Sequence, residues 1–336
     1  MTNRPRLLTV ILNYKTPEMT LKAAAAALEE IKPFPGEIII VDNDSQDGSF
    51  EKMTDAVISN GWSRSVSVLR SGRNGGFGAG NNFGILAGMS GSKKPDFIYI
   101  LNSDAFPDKG SIRALIDALE SHPRAAFAGS YIHGPDGTPH ETAFRFPSVN
   151  SELEGAARFG PISRFFKDDI VAMELPRARA EVDWLAGASM MMRREALEKI
   201  GLFDETFFLY FEETDLCLRA QRAGWSTIYV RDSSVTHIGS VSTGMKTWTR
   251  MPEYWFASRH YYFSKNHGRA YTRRANIAHI AGACLWRLRR FVQRKPQMDP
   301  DHFLRDLIAH SWKSRKRRLP SASVPKLTTP AKIGAK

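Results

Sequence analysis

The chain has 336 residues, of which 42% are hydrophobic and 24% charged, and its formal net charge is +12. That mixture is globular and long enough for one large core or two smaller ones, so wholesale disorder and a minimal scaffold are excluded. Two cysteines, Cys217 and Cys284, are too few for a disulfide framework and belong to no Cys/His cluster, so a reducing compartment fits best.

The first apolar run, Leu7 to Leu12, meets Asn13 and Lys15 well short of membrane-spanning length and lacks a small-residue cleavage site, so it reads as a strand rather than a signal. A helix is expected over Pro17 to Glu30, a strand over Glu37 to Val41, a helix over Phe50 to Asn60, a strand over Val66 to Leu69 and a helix over Gly80 to Gly88. Phe97 to Leu101 is a continuous apolar run, the pattern of a strand buried on both faces. Such alternation predicts an α/β fold with a mostly parallel central sheet flanked by helices. After Ala126 to Ile132, HGPDGTPHETAF carries the punctuation of a hairpin or loop, and 148–180 reads as an irregular, variable insertion. The pattern resumes at VDWLAGASMMMRREALEKIGLFD, passes through a helix over Glu212 to Ala223 and a strand at STIYVRD, and is helical from Met251 to Leu319. The Ser/Pro/Lys/Thr-rich remainder is expected to be disordered. The expected division is an α/β domain over 1–250, a basic helical region over 251–318 and a tail over 319–336.

Parallel sheets bind ligands beyond the C-terminal ends of their strands. IIIVDNDSQDGS delivers Asp42, Asn43 and Asp44 there, and YILNSD delivers Asn102 and Asp104, to one place if the two strands are neighbours. A carboxylate so placed can hold Mg²⁺ or Mn²⁺ between protein and an anionic diphosphate. Capping a helix that starts near Lys109 is the other reading of Asp104. The glycines of SGRNGGFGAGNNFGI fit G-x-G-x-x-G in no register, which weakens a dinucleotide reading, and no Gly-Lys-Ser/Thr follows. This loop either lets a diphosphate approach backbone N–H groups or makes a tight strand-to-helix turn.

Glu212, Glu213 and Asp215 open a helix, where the macrodipole favours negative charge. Asp215 has Arg219 one turn on and reads as an exposed or partly buried ion pair. Glu213 instead has Leu216 and Cys217 at those spacings, an apolar setting that raises a carboxyl toward the range of a general base. His237 lies just past a strand and gains a ligand role only if that strand ends beside Asp104.

In order, VILNYKTPE, IIIVDNDSQDGS, NGGFGAGNNFGI, YILNSDAFPD, WLAGASMMMRREALEKIGLFDETFF, YFEETDLCLRAQRAGW and VTHIGS resemble the inverting glycosyltransferases of family 2, over about residues 7–268. The nearest flavour is their rhamnosyltransferase-like branch. The resemblance implies a GT-A nucleotide-diphospho-sugar transferase fold with a C-terminal helical extension. It implies Asn13 and Asp42 at the nucleotide base, with Asp44, Asn74, Gly76 and Asn102 also on the donor. Asp104 becomes the metal ligand of an Asp-x-Asp equivalent in which Asn102 replaces the first Asp, and His237 matches a late histidine on metal or diphosphate. Glu213 falls on the second acid of the family's Glu-Asp pair, the catalytic base, although Asp is commoner there, and Asp215 is the neighbouring acid of the site. Asp183 and Trp184 resemble an acceptor-facing wall, where Trp184 stacks on a sugar ring or packs. The 148–180 insertion falls on the acceptor side.

The implied reaction moves rhamnose or another hexose from a dTDP- or UDP-sugar to a saccharide or polyprenyl-diphosphate-linked acceptor, with Mg²⁺ or Mn²⁺, in bacterial surface polysaccharide synthesis. The rival is a basic membrane- or nucleic-acid-binding protein on a non-catalytic α/β scaffold. Acids at Asp42, Asp44, Asp104 and Glu213 do not suit a nucleic-acid groove, and the basic tail lacks the aromatic interleaving of single-strand binders. In IAHIAGACLWRLRRFVQRK, Ile277, Ile280, Ala281, Cys284, Leu285, Leu288, Phe291 and Val292 stand near helical spacing among four arginines. That suits a helix on an anionic membrane surface, and hence a cytoplasmic enzyme held peripherally at the inner face. A core-packing helix with a solvated basic tail is the alternative.

Overall fold

The structure is a computed structural model and describes residues 4–91, 93–239 and 248–329. Strands β1 (Leu7–Asn13), β2 (Gly36–Asp42), β3 (Val66–Arg70) and β4 (Phe97–Asn102) alternate with helices α1 (Pro17–Ile31), α2 (Ser49–Ser59) and α3 (Gly76–Gly88). All four strands are parallel and stand in the order β3-β2-β1-β4, so the winding direction reverses between β1 and β4. Ligands of open α/β sheets collect at such a reversal. Asn13 is level with Asp42, and Leu12 with Asn102. The strands bearing Asp42 and Asp104 therefore share a rim, but β1 lies between them; they are not the adjacent pair the sequence suggested.

The chain continues through β5 (Ala105–Pro107), α4 (Ser111–Ser121), β6 (Ala125–His133), β7 (Ala143–Phe144), α5 (Val149–Ala157) and α6 (Gly160–Phe165). It then forms β8 (Ala180–Val182), β9 (Trp184–Leu185), β10 (Ser189–Arg193), α7 (Arg194–Ile200), α8 (Glu212–Arg222) and β11 (Ser226–His237). β10 runs antiparallel between β4 and β6, while β11 is parallel to β6 and carries β5 along its end. Both sheet faces are covered. Ile38, Ile40, Tyr99 and Leu101 meet α1 and α4 on one side, and Val10, Val41, Ile98 and Ile100 meet α3, α7 and α8 on the other. Two-sided burial is why these strands are unbroken apolar runs rather than alternating ones.

Helix α3 begins at Gly76, four residues before the sequence expectation. An added Cβ on Gly80 would fall 2.4 Å from the Leu12 side chain, and one on Gly84 would fall 2.6 Å from Val10. The glycine-rich segment is thus mainly a bare helix face laid on β1, and only its Asn74–Gly76 end reaches the rim. The 148–180 segment is less irregular than expected, because Ser148 and Ser151 close a reciprocal capping box that starts α5.

Three further helices, α9 (Glu253–His267), α10 (Arg269–Gln293) and α11 (Phe303–Ser314), complete the described chain. α10 lies on α5, where a Cβ on Gly282 would come within 2.6 Å of the Leu153 carbonyl. The tail departs from its disordered expectation over 319–329. There the backbone pairs with the loop before α8: Leu202 N–H donates to the Pro325 carbonyl at 2.9 Å, and Glu205 N–H to that of Ser323 at 2.8 Å, and Leu327 is buried. Residues 330–336 of that expectation lie outside the described residues, as does Ser240 of VTHIGS. Among the described residues no helix is long and apolar enough to cross a membrane.

Candidate active site

A cavity of about 860 Å³ opens at the rim beside the β1/β4 reversal. Asn43 comes from the end of β2, Asn102 and Asp104 from the end of β4, Asn74 and Gly76 from the start of α3, and His237 from the end of β11. Glu212 and Glu213 enter from the start of α8. Trp184, Phe208, Tyr210, Tyr254 and Trp255 add an aromatic wall.

Asp104 and His237 form one corner. The β5–β11 pairing sets His237 level with Ala105, so the strand that begins as STIYVRD runs on and ends beside Asp104. The His237 Nε2 lies 3.1 Å from Asp104 Oδ1, and Asp104 Oδ2 accepts from the Gly239 N–H at 3.1 Å. Asn102 Nδ2 is 3.5 Å from the same His237 nitrogen. Asp104 does not cap a helix, since α4 starts at Ser111 with Gly110 before it. Among the described residues no three or more His, Cys, Asp and Glu side chains gather as a cage for a metal. The Asp104 carboxylate is a ligand of the kind a hard cation takes when it keeps waters and binds substrate phosphates, and a corner of one carboxylate and one imidazole does not make an all-protein site.

The opposite corner holds two adjacent carboxyls. Tyr210 and Phe211 precede α8 with φ of +70° and +71°, left-handed values that cost about 1–3 kcal/mol each and mark functional turns. Burial lifts the Glu213 carboxyl to about 7, although N–H groups of its own backbone and of Gly187 favour the charged form. Glu212 is 1% exposed and its Oε2 has no hydrogen-bond partner. Burial first, and then the neighbouring Glu213 charge, push Glu212 well above the usual carboxylate range. Burial thus disfavours charge on both carboxyls, and Glu213 is lifted into the range in which a general base exchanges a proton near neutrality. Gly187 makes room for this, because a Cβ there would sit 2.4 Å from Glu213 Oε1.

Asp215 is not the exposed or partly buried ion pair expected. Its carboxylate is fully buried and receives Arg219 Nε at 2.9 Å, Lys265 Nζ at 2.8 Å and Asn266 Nδ2 at 2.9 Å. Lys265 also donates to Asp204, which accepts from the Tyr261 hydroxyl at 2.9 Å and the Ser323 N–H at 2.9 Å. Burial pushes Asp204 up, but Lys265 and the backbone donors overcome it and hold the carboxyl at about 2. This network ties α8, α9 and the C-terminal tail together, which makes Asp215 an anchor rather than a reacting group.

The remaining expected residues divide. Asn74 Oδ1 accepts from Asn43 Nδ2 at 3.0 Å and from the Gly76 N–H at 3.1 Å, closing the donor end of α3 over the cavity. Asp42 and Asp44 do not line the main cavity; they line a smaller one of about 320 Å³ with Gln46 and Arg70. Asn13 is fully buried; its Nδ2 donates to Asp42 Oδ1 at 2.9 Å and its Oδ1 accepts from the Thr20 hydroxyl at 2.8 Å, so it positions Asp42 instead of facing a ligand. Trp184 lines the main cavity with one face stacked on Phe144 at 4.1 Å and its Nε1 donating to the Arg145 carbonyl. Asp183 does not join it: its carboxylate accepts from the Phe146 N–H and borders a separate pocket with Arg124 and Trp225. Alternation along an extended segment turns adjacent side chains to opposite sides, so the two could not form one wall.

Sequence reasoning missed a buried cluster on the same cavity. Arg259 Nη2 and His279 Nδ1 lie 2.8 Å and 2.6 Å from Glu152 Oε2. Burial would raise Glu152, yet Arg259 and His279 hold it at about 2. The three residues come from α5, α9 and α10, 107 and 127 positions apart, and no local spacing could have joined them.

A doubly covered α/β sheet with carboxyl groups gathered round a cavity at its switch point is the architecture of enzymes that bind phosphorylated ligands there. The family model described as "Glycosyltransferase like family 2" matches residues 5–269, and the chain belongs to that family; it is a glycosyltransferase with the GT-A fold. N-acetylglucosaminyl-diphospho-decaprenol L-rhamnosyltransferase of Mycobacterium tuberculosis is 30% identical over 253 residues, 71% of this chain and 78% of that protein. The rhamnosyltransferase WbbL of Escherichia coli is 28% identical over 165 residues, 46% of this chain and 58% of that one. The mannosyltransferase PcManGT from Pyrobaculum calidifontis, solved with GDP-Man and Mn²⁺, matches with a TM-score of 0.54 at 13% identity, covering 93% of this chain and 81% of its own. The sequence resemblance is thereby borne out for family, fold and enzyme class.

Proposed function

We propose that the enzyme transfers rhamnose or a related hexose from a nucleoside diphosphate to a hydroxyl of a lipid-linked saccharide, with inversion. The observation that carries this reading is geometric: the buried Glu213 carboxyl, which burial lifts to about 7, lines the same cavity as the Asp104–His237 corner. Relatives whose names specify rhamnosyl transfer, one of them to a decaprenol-diphosphate-linked sugar, support the donor and acceptor classes. The base of a dTDP or UDP donor occupies the Asp42–Asp44–Arg70 cavity, and its diphosphate runs past Asn74 and Gly76 to Asp104 and His237. These two residues would hold Mg²⁺ or Mn²⁺, which when bound would supply positive charge for a departing diphosphate.

Glu213 then accepts the proton of the acceptor hydroxyl. The new bond forms from that oxygen to the anomeric carbon as the bond to the diphosphate oxygen breaks, and the diphosphate leaves with the electron pair. A single displacement of this kind inverts the centre. The acceptor sugar lies along the aromatic wall, against Trp184 and Tyr254, where ring faces can stack on it. Because α5, α9 and α10 supply part of the cavity, the catalytic unit extends past residue 250. A lipid-linked acceptor further places the enzyme at a membrane surface.

The test is a panel of dTDP-, UDP- and GDP-sugars incubated with Mg²⁺ or Mn²⁺ and a soluble analogue of a diphosphate-linked acceptor. Acceptor-dependent nucleoside diphosphate release is expected for one donor, and the product's anomeric configuration is read by NMR. Retained configuration, or release that no acceptor stimulates, refutes the reading.

A further inference from the structure

Helix α10 presents two unlike faces. Its inner side packs on α5 and delivers His279 to the cavity, with Ala283 and Trp286 buried beneath. Its outer side is a single stripe, since at 100° per residue Ile277, Ala281, Cys284, Leu288, Phe291 and Val292 fall within an arc of about 100°. Ile277 is 67% exposed, Leu288 62%, Phe291 84% and Val292 71%. The stripe is about 22 Å long and holds no charged residue. Ile280 and Leu285, which sequence spacing grouped with it, are partly covered instead.

The ends of this stripe are basic. Exposed Arg273 and Arg274 precede it on the same face, exposed Arg294 and Lys295 follow it, and α10 carries six arginines and no carboxylate. Lys313, Arg315, Lys316, Arg317 and Arg318, at and beyond the end of α11, are exposed as well. A soluble monomer has no reason to keep so many large apolar groups in water along one line. A second copy would bring arginines against arginines, so self-pairing is opposed by charge. An anionic bilayer satisfies both features, accepting the apolar groups at the acyl boundary and the cations at the headgroups.

We infer that the outer face of α10, from Ile277 to Val292, is the surface by which this enzyme docks on an anionic membrane. The inference rests on the reading of a lipid-linked acceptor for its biological sense, but its surface lies almost wholly beyond the 5–269 segment that the family model matches.

The experiment is flotation of the full-length protein with vesicles of phosphatidylglycerol and phosphatidylethanolamine, and with pure phosphatidylcholine, at low and high salt. Binding is expected only to the anionic vesicles and to weaken with salt. A Leu288→Glu/Phe291→Glu variant, altering only exposed positions, should lower the vesicle partition coefficient roughly tenfold or more. The same variant should keep full turnover on a soluble acceptor analogue and lose it on acceptor embedded in vesicles. An active enzyme that ignores anionic vesicles overturns the docking surface and leaves the proposed reaction standing. Vesicle binding without transfer to any acceptor does the opposite. A dimer in light scattering that the variant disperses, with no vesicle binding, assigns the face to self-association and also overturns the inference.

Discussion

The raised carboxyl of Glu213 makes a quantitative prediction about pH. If the reacting form needs Glu213 ionised and its carboxyl titrates at about 7, half of the enzyme is competent at neutrality. The ionised fraction falls from roughly nine-tenths one unit above that value to roughly one-tenth one unit below it, so kcat/KM should rise about tenfold between pH 6 and pH 8. Because the pKa is raised from an ordinary 4.5, activity is gained as pH rises, and an unperturbed carboxylate would give a flat profile over this window. Glu213→Gln should cost roughly 10²–10⁴ in kcat, the usual worth of a general base, and flatten the profile. Glu212→Gln keeps the size of the neighbouring side chain and leaves Glu213 in place, so turnover should be kept, in contrast to Glu213→Gln. Initial rates of nucleoside diphosphate release across pH, with a soluble acceptor, provide the assay. A flat wild-type profile, or loss of turnover in Glu212→Gln with Glu213→Gln intact, refutes the assignment.

Three further outcomes follow from the geometry. Asp104→Ala and chelation by EDTA should each abolish transfer while the circular dichroism spectrum is kept; full activity of Asp104→Ala in EDTA would remove the metal role. Gly187→Ala drives a methyl group into the Glu213 carboxylate, so kcat should fall by about 10²-fold with the thermal midpoint nearly unchanged; equal kcat would show that Glu213 adapts freely. Lys265→Met strips Asp204 and Asp215 of their shared cation and should lower stability by about 3–5 kcal/mol in chemical denaturation. Asp204, held at about 2 against 3.8, stabilises the fold above the higher value, and that stability is lost as pH falls toward the lower. The wild type should therefore lose more stability than Lys265→Met between about pH 5 and pH 2, and equal losses would dismiss the network.

The strand-and-rim logic was legible because it is local. Unbroken apolar runs such as Phe97 to Leu101 require two-sided burial, and polar residues at their ends require a solvent-facing rim. The apolar neighbours of Glu213 similarly foretold its raised pKa. What the sequence did not display depends on side chains meeting across the fold. Asp215 has an arginine one turn away, the mark of a surface pair, and only the distant Lys265 and Asn266 reveal its burial. Glycine runs suggest a phosphate cradle, yet the same absence of side chains is what lets α3 lie on β1. The tail has a disordered composition because it contributes almost no core, but a few backbone hydrogen bonds suffice to hold it.

Helix α10 connects the two proposals mechanically. His279 lies on the side of the helix almost opposite to Ile277 and Leu288, at about 190° from the middle of the exposed stripe. An α-helix with its side chains is about 10–12 Å across, so a bilayer touching the stripe stands roughly one helix diameter from a residue that lines the cavity. That residue is bound to Glu152, which Arg259 holds in turn, so this wall of the cavity is braced by buried charges rather than by loops. On the two proposals together, a diphosphate-linked sugar projecting from the headgroup layer would enter the cavity that Glu213 also lines. Under the same proposals the aromatic wall and the basic, apolar outer face would be successive contacts along one acceptor: cations and apolar groups for the lipid, ring faces for the sugar, and a single carboxylate for the hydroxyl that reacts.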